Sequence, residues 1–191
     1  MFEGITLVTG LPRSGTSMVM QMLSAGGAPV LTDDLRAPDE HNPRGYFEYA
    51  PVKRLKSDAQ WLPEARGKAI KVVSYLLPFL PEQEGYRVVF VERALEEVIA
   101  SQNRMLGKGD AASCDASSAG AQLMEVLQLQ NAKARDWIQR SGAPVLDLRH
   151  QEVIDAPRAQ AERIGQFLGG DLDWDAMAAA VSPELHRQRS L

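Results

Sequence analysis

The 191-residue sequence has one cysteine, Cys114. That excludes an intrachain disulfide and a cysteine-based zinc site. Three histidines, scattered along the chain, suggest no other metal centre. Positive charge is not in surplus either. Lys and Arg number 21 against 25 Asp and Glu, a formal net charge of −4. A chain without a basic field is a poor general binder of nucleic acid, although a small anionic ligand needs only a few local cations. Long hydrophobic runs are missing. The longest candidates, Ile5–Val8 and Val72–Leu80, fall far short of the roughly 20 residues of a membrane-spanning helix, and the second contains Pro78. Met1-Phe2-Glu3-Gly4 carries an acid where a secretory leader carries Lys or Arg. The expectation is a cytoplasmic protein with no membrane span. Apolar residues make up 45% and charged residues 24% of the chain, ordinary values for a globular fold, and the length suits one domain over 1–191.

Alternating strand and helix signals fill that length. Ile5-Thr6-Leu7-Val8-Thr9 is a short β-branched run, broken by Gly10-Leu11-Pro12-Arg13-Ser14-Gly15-Thr16-Ser17. Met18 to Leu23 then reads as helix, stopped by Gly26-Gly27. Residues 28–66 are irregular, with a short helix expected from Pro51 to Gln60. Ala69–Val73 reads as a second strand. Arg87–Val91 reads as a third, and its unbroken apolar run suits a parallel strand buried on both faces. A helix is expected from Leu95 to Leu106, with Leu95, Val98, Ile99, Gln102 and Met105 on one inward stripe. A small polar loop over 107–117 precedes a long helix from Ser118 to Arg140. Pro144–Leu148 reads as a fourth strand. Pro157 opens a helix that runs to Leu168, with Asp155 or Ala156 as its cap, and Asp173 caps a last short helix. This order predicts a three-layer α/β/α fold with a central parallel sheet. Ligands of such sheets bind at the carboxyl ends of the strands, where the Gly10 loop and Arg93 both fall.

The loop matches half of a phosphate-binding P-loop. Its glycines let backbone N–H groups turn inward, the following helix adds partial positive charge, and Thr16 and Ser17 add hydroxyls. The lysine of the nucleoside-triphosphate loop is absent: Thr16 stands in its position and Arg13 is the loop's cation. A triphosphate hydrolase would lack its main contact to the terminal phosphates.

Pro12-Arg13-Ser14-Gly15-Thr16-Ser17 resembles the 5′-phosphosulfate loop of the PAPS-dependent sulfotransferases (PAPS is 3′-phosphoadenosine 5′-phosphosulfate). Those enzymes also place an Arg at the end of a strand and a Ser eight residues later, and both bind the 3′-phosphate. Here Val89-Phe90-Val91-Glu92-Arg93 is followed by Ser101, with Ala94-Leu95 where the family often has Asp-Pro. Asn42-Pro43-Arg44-Gly45-Tyr46-Phe47-Glu48 is similar to a segment of small bacterial sulfotransferase-like proteins, and the likeness extends over residues 4–170. The Arg-Lys-Gly segment with a downstream Trp, which closes over the cofactor in larger members, is not recognisable. Cations of the tail, Ser182 to Arg189, are a possible substitute for it.

The resemblance implies a P-loop nucleoside-triphosphate-hydrolase-like fold and in-line transfer of a sulfuryl group from PAPS to a hydroxyl or amine, leaving adenosine 3′,5′-bisphosphate. It implies that Pro12, Arg13, Ser14, Gly15, Thr16 and Ser17 hold the phosphosulfate, and that Arg93 and Ser101 hold the 3′-phosphate. Lys71, near the end of the second strand, is the candidate for the bridging oxygen. Glu48 is the first candidate for general base: flanked by Phe47 and Tyr49, it is expected to be partly desolvated and its pKa raised. His41 is the second, with Asp33 and Asp34 behind it. Tyr46, Phe47 and Trp61 could line an acceptor pocket, but the sequence names no acceptor. Two other readings stay open. One is a nucleotide or small-metabolite kinase, with Glu92 as a magnesium-holding carboxylate. The other is a catalytically inactive nucleotide-binding or interaction protein of the same fold.

Overall fold

β1 (Ile5–Thr9) is buried along its whole length, which only the centre of a sheet allows. In the computed structural model, which describes residues 3–33, 35–37, 39, 45–105 and 118–181, three further strands join it. These are β2 (Ala69–Lys71), β3 (Tyr86–Glu92) and β4 (Val145–Arg149). All four run parallel in the order β2-β1-β3-β4, with Leu7 opposite Ile70 on one side and Val88 on the other, and Val88 opposite Val145. The chain leaves β1 toward β2, then returns past β1 to form β3. The strand order therefore reverses between β1 and β3, and a crevice at their carboxyl ends follows from that topology.

Helices cover both faces. They are α1 (Thr16–Ala25), α2 (Leu95–Met105), α3 (Ser118–Ser141), α4 (His150–Asp155), α5 (Pro157–Leu168) and α6 (Trp174–Ala179). The strand period of two sends Ile5, Leu7, Val88 and Phe90 to one face, against Ala134, Trp137 and Ile138 of α3. Trp137 is fully buried there; its indole N–H donates to the Leu80 carbonyl at 3.1 Å, and its ring meets Tyr86 edge-on at 5.3 Å. Val8, Val89 and Val91 face the other way, onto Val19, Met20 and Leu23 of α1, Ile164 of α5 and Met177 of α6. Among the described residues no helix is long and apolar enough to cross a membrane.

Several boundaries differ from the sequence expectation, each for a local reason. α1 starts at Thr16, so the two loop hydroxyls belong to its first turn. β2 ends at Lys71 rather than Val73, and the chain then passes into a 3₁₀ turn over Ser74–Phe79 that contains Pro78. The expected helix from Pro51 to Gln60 is replaced by 3₁₀ turns over Ala50–Arg54 and Leu62–Ala65, each with proline in its first two positions. α4, six residues following β4 directly, was not anticipated. α2 packs through Val98 and Ile99 onto Leu11 and Leu127, but Met105 in its last turn is 37% exposed and so is not on the inward stripe. Asp173 caps α6 as expected, accepting from the N–H groups of Asp175 and Ala176. Ala156 stands at the cap position of α5, with no side-chain bond. The loop 107–117 and the tail from Ser182 lie outside the described residues.

Candidate functional site

The turn from β1 into α1 is built around two glycines. A Cβ on Gly10 would stand 2.4 Å from the Val91 carbonyl oxygen and 2.5 Å from Ser14 Oγ, so only glycine lets β3 and the loop close up. Gly15 has φ +103°, and a Cβ there would stand 2.5 Å from His150 Cδ2. Between them Arg13 adopts a left-handed φ of 73°. The result points the N-terminus of α1 into the crevice. That helix has no acid in its first turn and no side-chain cap, so its amides keep their partial positive charge. Gly15→Ala is expected to destabilise by about 2–3 kcal/mol through backbone strain and the imidazole overlap. Gly27→Ala is the control: Gly27 has φ +85° but nothing within 4 Å of its Cβ position, so about 1 kcal/mol of backbone strain should remain. Thermal melts of the two variants measure the difference.

On the β3 side, Arg93 just before α2 and Ser101 and Gln102 in its second half grip the loop. Arg13 Nε donates to Ser101 Oγ at 3.0 Å, and Ser101 is buried. Arg93 Nη1 donates to the Arg13 carbonyl at 3.2 Å, and Gln102 Nε2 reaches the Pro12 carbonyl at 3.4 Å. Arg93 Nε also donates to Glu97 Oε2 at 2.8 Å; the two side chains are 9% and 14% exposed. The eight-residue spacing thus converges on the loop, with Ser101 bonded to the Arg13 guanidinium and Arg93 to the Arg13 carbonyl. Burial lowers the Arg13 guanidinium from its usual range, Arg93 and Arg36 push the same way, and Tyr46 and Asp39 oppose.

On the β2 side, Lys71 brings an ammonium to the start of α1. Its Nζ lies 3.3 Å from Ser17 Oγ, donates to the Tyr46 carbonyl, and stands 3.9 Å from Glu48 Oε1. Ser17 Oγ donates to the same Tyr46 carbonyl at 3.2 Å. Burial lowers the Lys71 ammonium to about 8, against the attraction of Glu48. Glu48 also pairs with Arg36 at 2.9 Å and Lys53 at 3.0 Å. The expectation of a raised Glu48 is corrected here. Burial does push its pKa up, but Lys53, Lys71 and Arg36 together outweigh burial and hold it below the ordinary carboxylate range. Tyr46 is buried, its ring lies under the Arg36 guanidinium, and its hydroxyl donates to Asp39.

The structure therefore brings Pro12, Arg13, Ser14, Gly15, Thr16, Ser17, Lys71, Glu48, Arg93 and Ser101 to one end of the sheet. His41 and Asp34 lie outside the described residues. Asp33 serves the loop backbone, accepting from the N–H groups of Leu35 and Ala50. Trp61 is buried in the α3-side core, so it lines no open pocket. Glu92 is held by Arg135 at 2.6 Å, and Arg135 stacks on Phe90 at 3.8 Å over the α3 face, away from the loop.

Sequence reasoning missed Arg36, Asp39, Lys53, Ser74, Glu97 and His150. Of these only Glu97 had a signal, four residues after Arg93 on a helix. Among the described residues five cations (Arg13, Arg36, Lys53, Lys71, Arg93) share this end with four carboxylates (Asp33, Asp39, Glu48, Glu97), in a chain whose net charge is −4. Thr9, Ser14 and Ser74 are buried beside Gly10, and their hydroxyls have no hydrogen-bond partner among the described residues. Such an arrangement can take up anionic oxygen. No family model matches the chain, and no curated protein matches it.

Proposed function

We propose that the protein is a sulfotransferase of P-loop type that moves the sulfuryl group of PAPS to a hydroxyl or amine. One observation carries the reading most: Arg13 in the loop, bonded to Ser101 of α2, and Lys71 at the end of β2, beside Ser17, both lie against the N-terminus of α1. The cations lie beside the loop and at its flank rather than at the position of Thr16. This suits a ligand gripped along its sides better than one held by its terminal phosphate. The orphaned hydroxyls and the clustered cations fit a phosphate- and sulfonate-bearing ligand.

In this reading the loop amides, Thr16, Ser17 and Arg13 hold the 5′-phosphosulfate. Arg93, whose fork has donors beyond the two already used, holds the 3′-phosphate with Ser101. Lys71 supplies positive charge at the bridging oxygen, where negative charge grows as the bond breaks. Glu48 takes the acceptor's proton, with His41 as the second candidate. PAPS brings the activated sulfuryl group and a phosphate leaving group. The kinase reading loses Glu92 as a metal carboxylate, since Arg135 occupies it. A nucleotide-binding protein without transfer activity draws support from Glu48, whose three cation partners make it a weak base in this state.

The test is thermal denaturation with adenosine 3′,5′-bisphosphate, set beside ATP with Mg²⁺. At 100 times its Kd the bisphosphate adds about 2.7 kcal/mol, which raises Tm by roughly 5–10 °C for a domain of this size. Stabilisation by ATP with Mg²⁺ alone would sink the sulfotransferase reading. Transfer from labelled PAPS to an acceptor panel then separates enzyme from binding protein.

A further inference from the structure

Glu48 is one carboxylate shared by three cations. Arg36 Nη1 reaches Oε1 at 2.9 Å, Lys53 Nζ reaches Oε2 at 3.0 Å, and Lys71 Nζ stands 3.9 Å from Oε1. Lys71 is buried and faces Ser17, on the loop side. Arg36 and Lys53 are different: their side chains are 42% and 67% exposed, against 20% for Glu48. They stand at the solvent rim of the β2 side. The Arg36 guanidinium lies over the Tyr46 ring, 3.3 Å from its centroid. The two exposed cations share one carboxylate, with Asp33 and Asp39 close by, and their remaining N–H donors face solvent beside the reacting end of the loop.

We propose that Arg36 and Lys53 seat an anionic group on the acceptor, a carboxylate or a phosphate or sulfate ester, which replaces Glu48 as their counter-ion. This rests on the sulfotransferase reading and adds the class of acceptor to it. The exchange has a chemical consequence. While Arg36 and Lys53 hold Glu48, its carboxylate is a weak base. An acceptor anion that draws them away leaves Glu48 partly buried, with Lys71 as its remaining cation, and burial then makes it a stronger proton acceptor. The base becomes effective when the correct acceptor is bound, and an acceptor without the anion leaves it paired. Water, which carries no anion, likewise leaves Glu48 paired.

The test uses matched acceptors that differ in a carboxylate and not in the number of accepting groups: 4-hydroxybenzoate with 4-hydroxybenzamide, glucuronate with its methyl ester, and serine with ethanolamine. Transfer from labelled PAPS is measured for each pair. The charged members should be favoured about tenfold or more in kcat/KM. In Arg36→Gln/Lys53→Gln the preference should fall to about twofold. Arg54→Gln/Lys56→Gln removes the same charge from exposed neighbours on the same segment and should keep the preference. Equal or better use of the neutral members overturns the proposal, as does a preference that survives in the Arg36/Lys53 variant or is lost equally in the Arg54/Lys56 variant. If no pair is sulfated, calorimetric titration of the three carboxylates into protein saturated with adenosine 3′,5′-bisphosphate decides. Binding that disappears in the Arg36/Lys53 variant supports the proposal, and absence of binding overturns it. Failure of the bisphosphate to bind overturns the sulfotransferase reading itself, which is a separate result.

Discussion

Replacing Lys71 by methionine should make the ligand-free protein more stable at pH 7 and remove its response to the proposed ligand. The ammonium is buried, and burial lowers its pKa from 10.5 to about 8. Between those values the unfolded chain binds a proton that the folded chain does not. Stability therefore rises with pH across that window, and the cost of the buried charge is fully present below pH 8. A shift of this size corresponds to about 3 kcal/mol. Methionine fills similar space without the charge but loses the bonds to the Tyr46 carbonyl and Ser17 Oγ, which returns about 1 kcal/mol. The net expectation at pH 7 is a gain of about 2 kcal/mol, which falls through zero as pH rises and becomes a loss of about 1 kcal/mol near pH 10.5. Urea unfolding of both proteins at pH 7 and pH 10 measures it. A variant less stable than the parent at pH 7 would show that the ammonium is satisfied by its three partners and carries no net cost. An anion bound at the loop should draw the Lys71 pKa back up. Binding of adenosine 3′,5′-bisphosphate at pH 8 should then take up protons, measured by calorimetry in buffers of different ionisation enthalpy, and the uptake should be absent in the variant. A residue that costs stability without ligand is better explained by function than by folding.

The sheet was legible because its signals are local. Ile5–Thr9 is bracketed by glycine and is β-branched, and the structure keeps those bounds. Arg87–Val91 lacks alternation, and the structure buries Val88 and Phe90 on one face and Val89 and Val91 on the other. Helix ends marked by Gly26 and Gly169 also fall where the sequence puts them. The segment between α1 and β2 was poorly legible. Its 3₁₀ turns obey proline placement, not hydrophobic period, and its course is set by contacts to distant residues such as Lys71 and Ser17. α4 was missed for a related reason: six residues are too few to show a helical stripe.

At the site, residue types were legible and their partnerships were not. Arg13, Ser101 and Arg93 could be picked out by spacing, and they do converge. Spacing could not reveal that Arg13 and Ser101 bind each other. Glu48 is the sharper case. Its aromatic neighbours suggested desolvation, which is real, but its charge state follows from Arg36, Lys53 and Lys71, up to 23 residues away in sequence. His150 is invisible to any motif, because its closeness to Gly15, 135 positions away in sequence, is set by tertiary packing.

Arg93→Ala should both unfold the protein more easily and abolish the response to the bisphosphate, so by itself it is a poor test of ligand contact. Arg93 Nε and Glu97 Oε2 are 2.8 Å apart with little exposure, and Nη1 ties the Arg13 carbonyl. Truncation takes the Arg93 cation from a largely buried carboxylate and frees the loop's left-handed residue. Removing one partner of a buried pair costs about 3–5 kcal/mol, which lowers Tm by roughly 10 °C for a domain of this size. Replacing both partners by apolar groups of similar volume is often near neutral. Arg93→Met/Glu97→Met should therefore melt within a few degrees of the parent while remaining without the bisphosphate shift. That double variant isolates ligand contact from structure. A full bisphosphate shift in the double variant would remove Arg93 from the ligand site and leave it as a brace for the loop. If the double variant were as unstable as Arg93→Ala, the stability loss would belong to the bond to the Arg13 carbonyl rather than to the charge imbalance at Glu97.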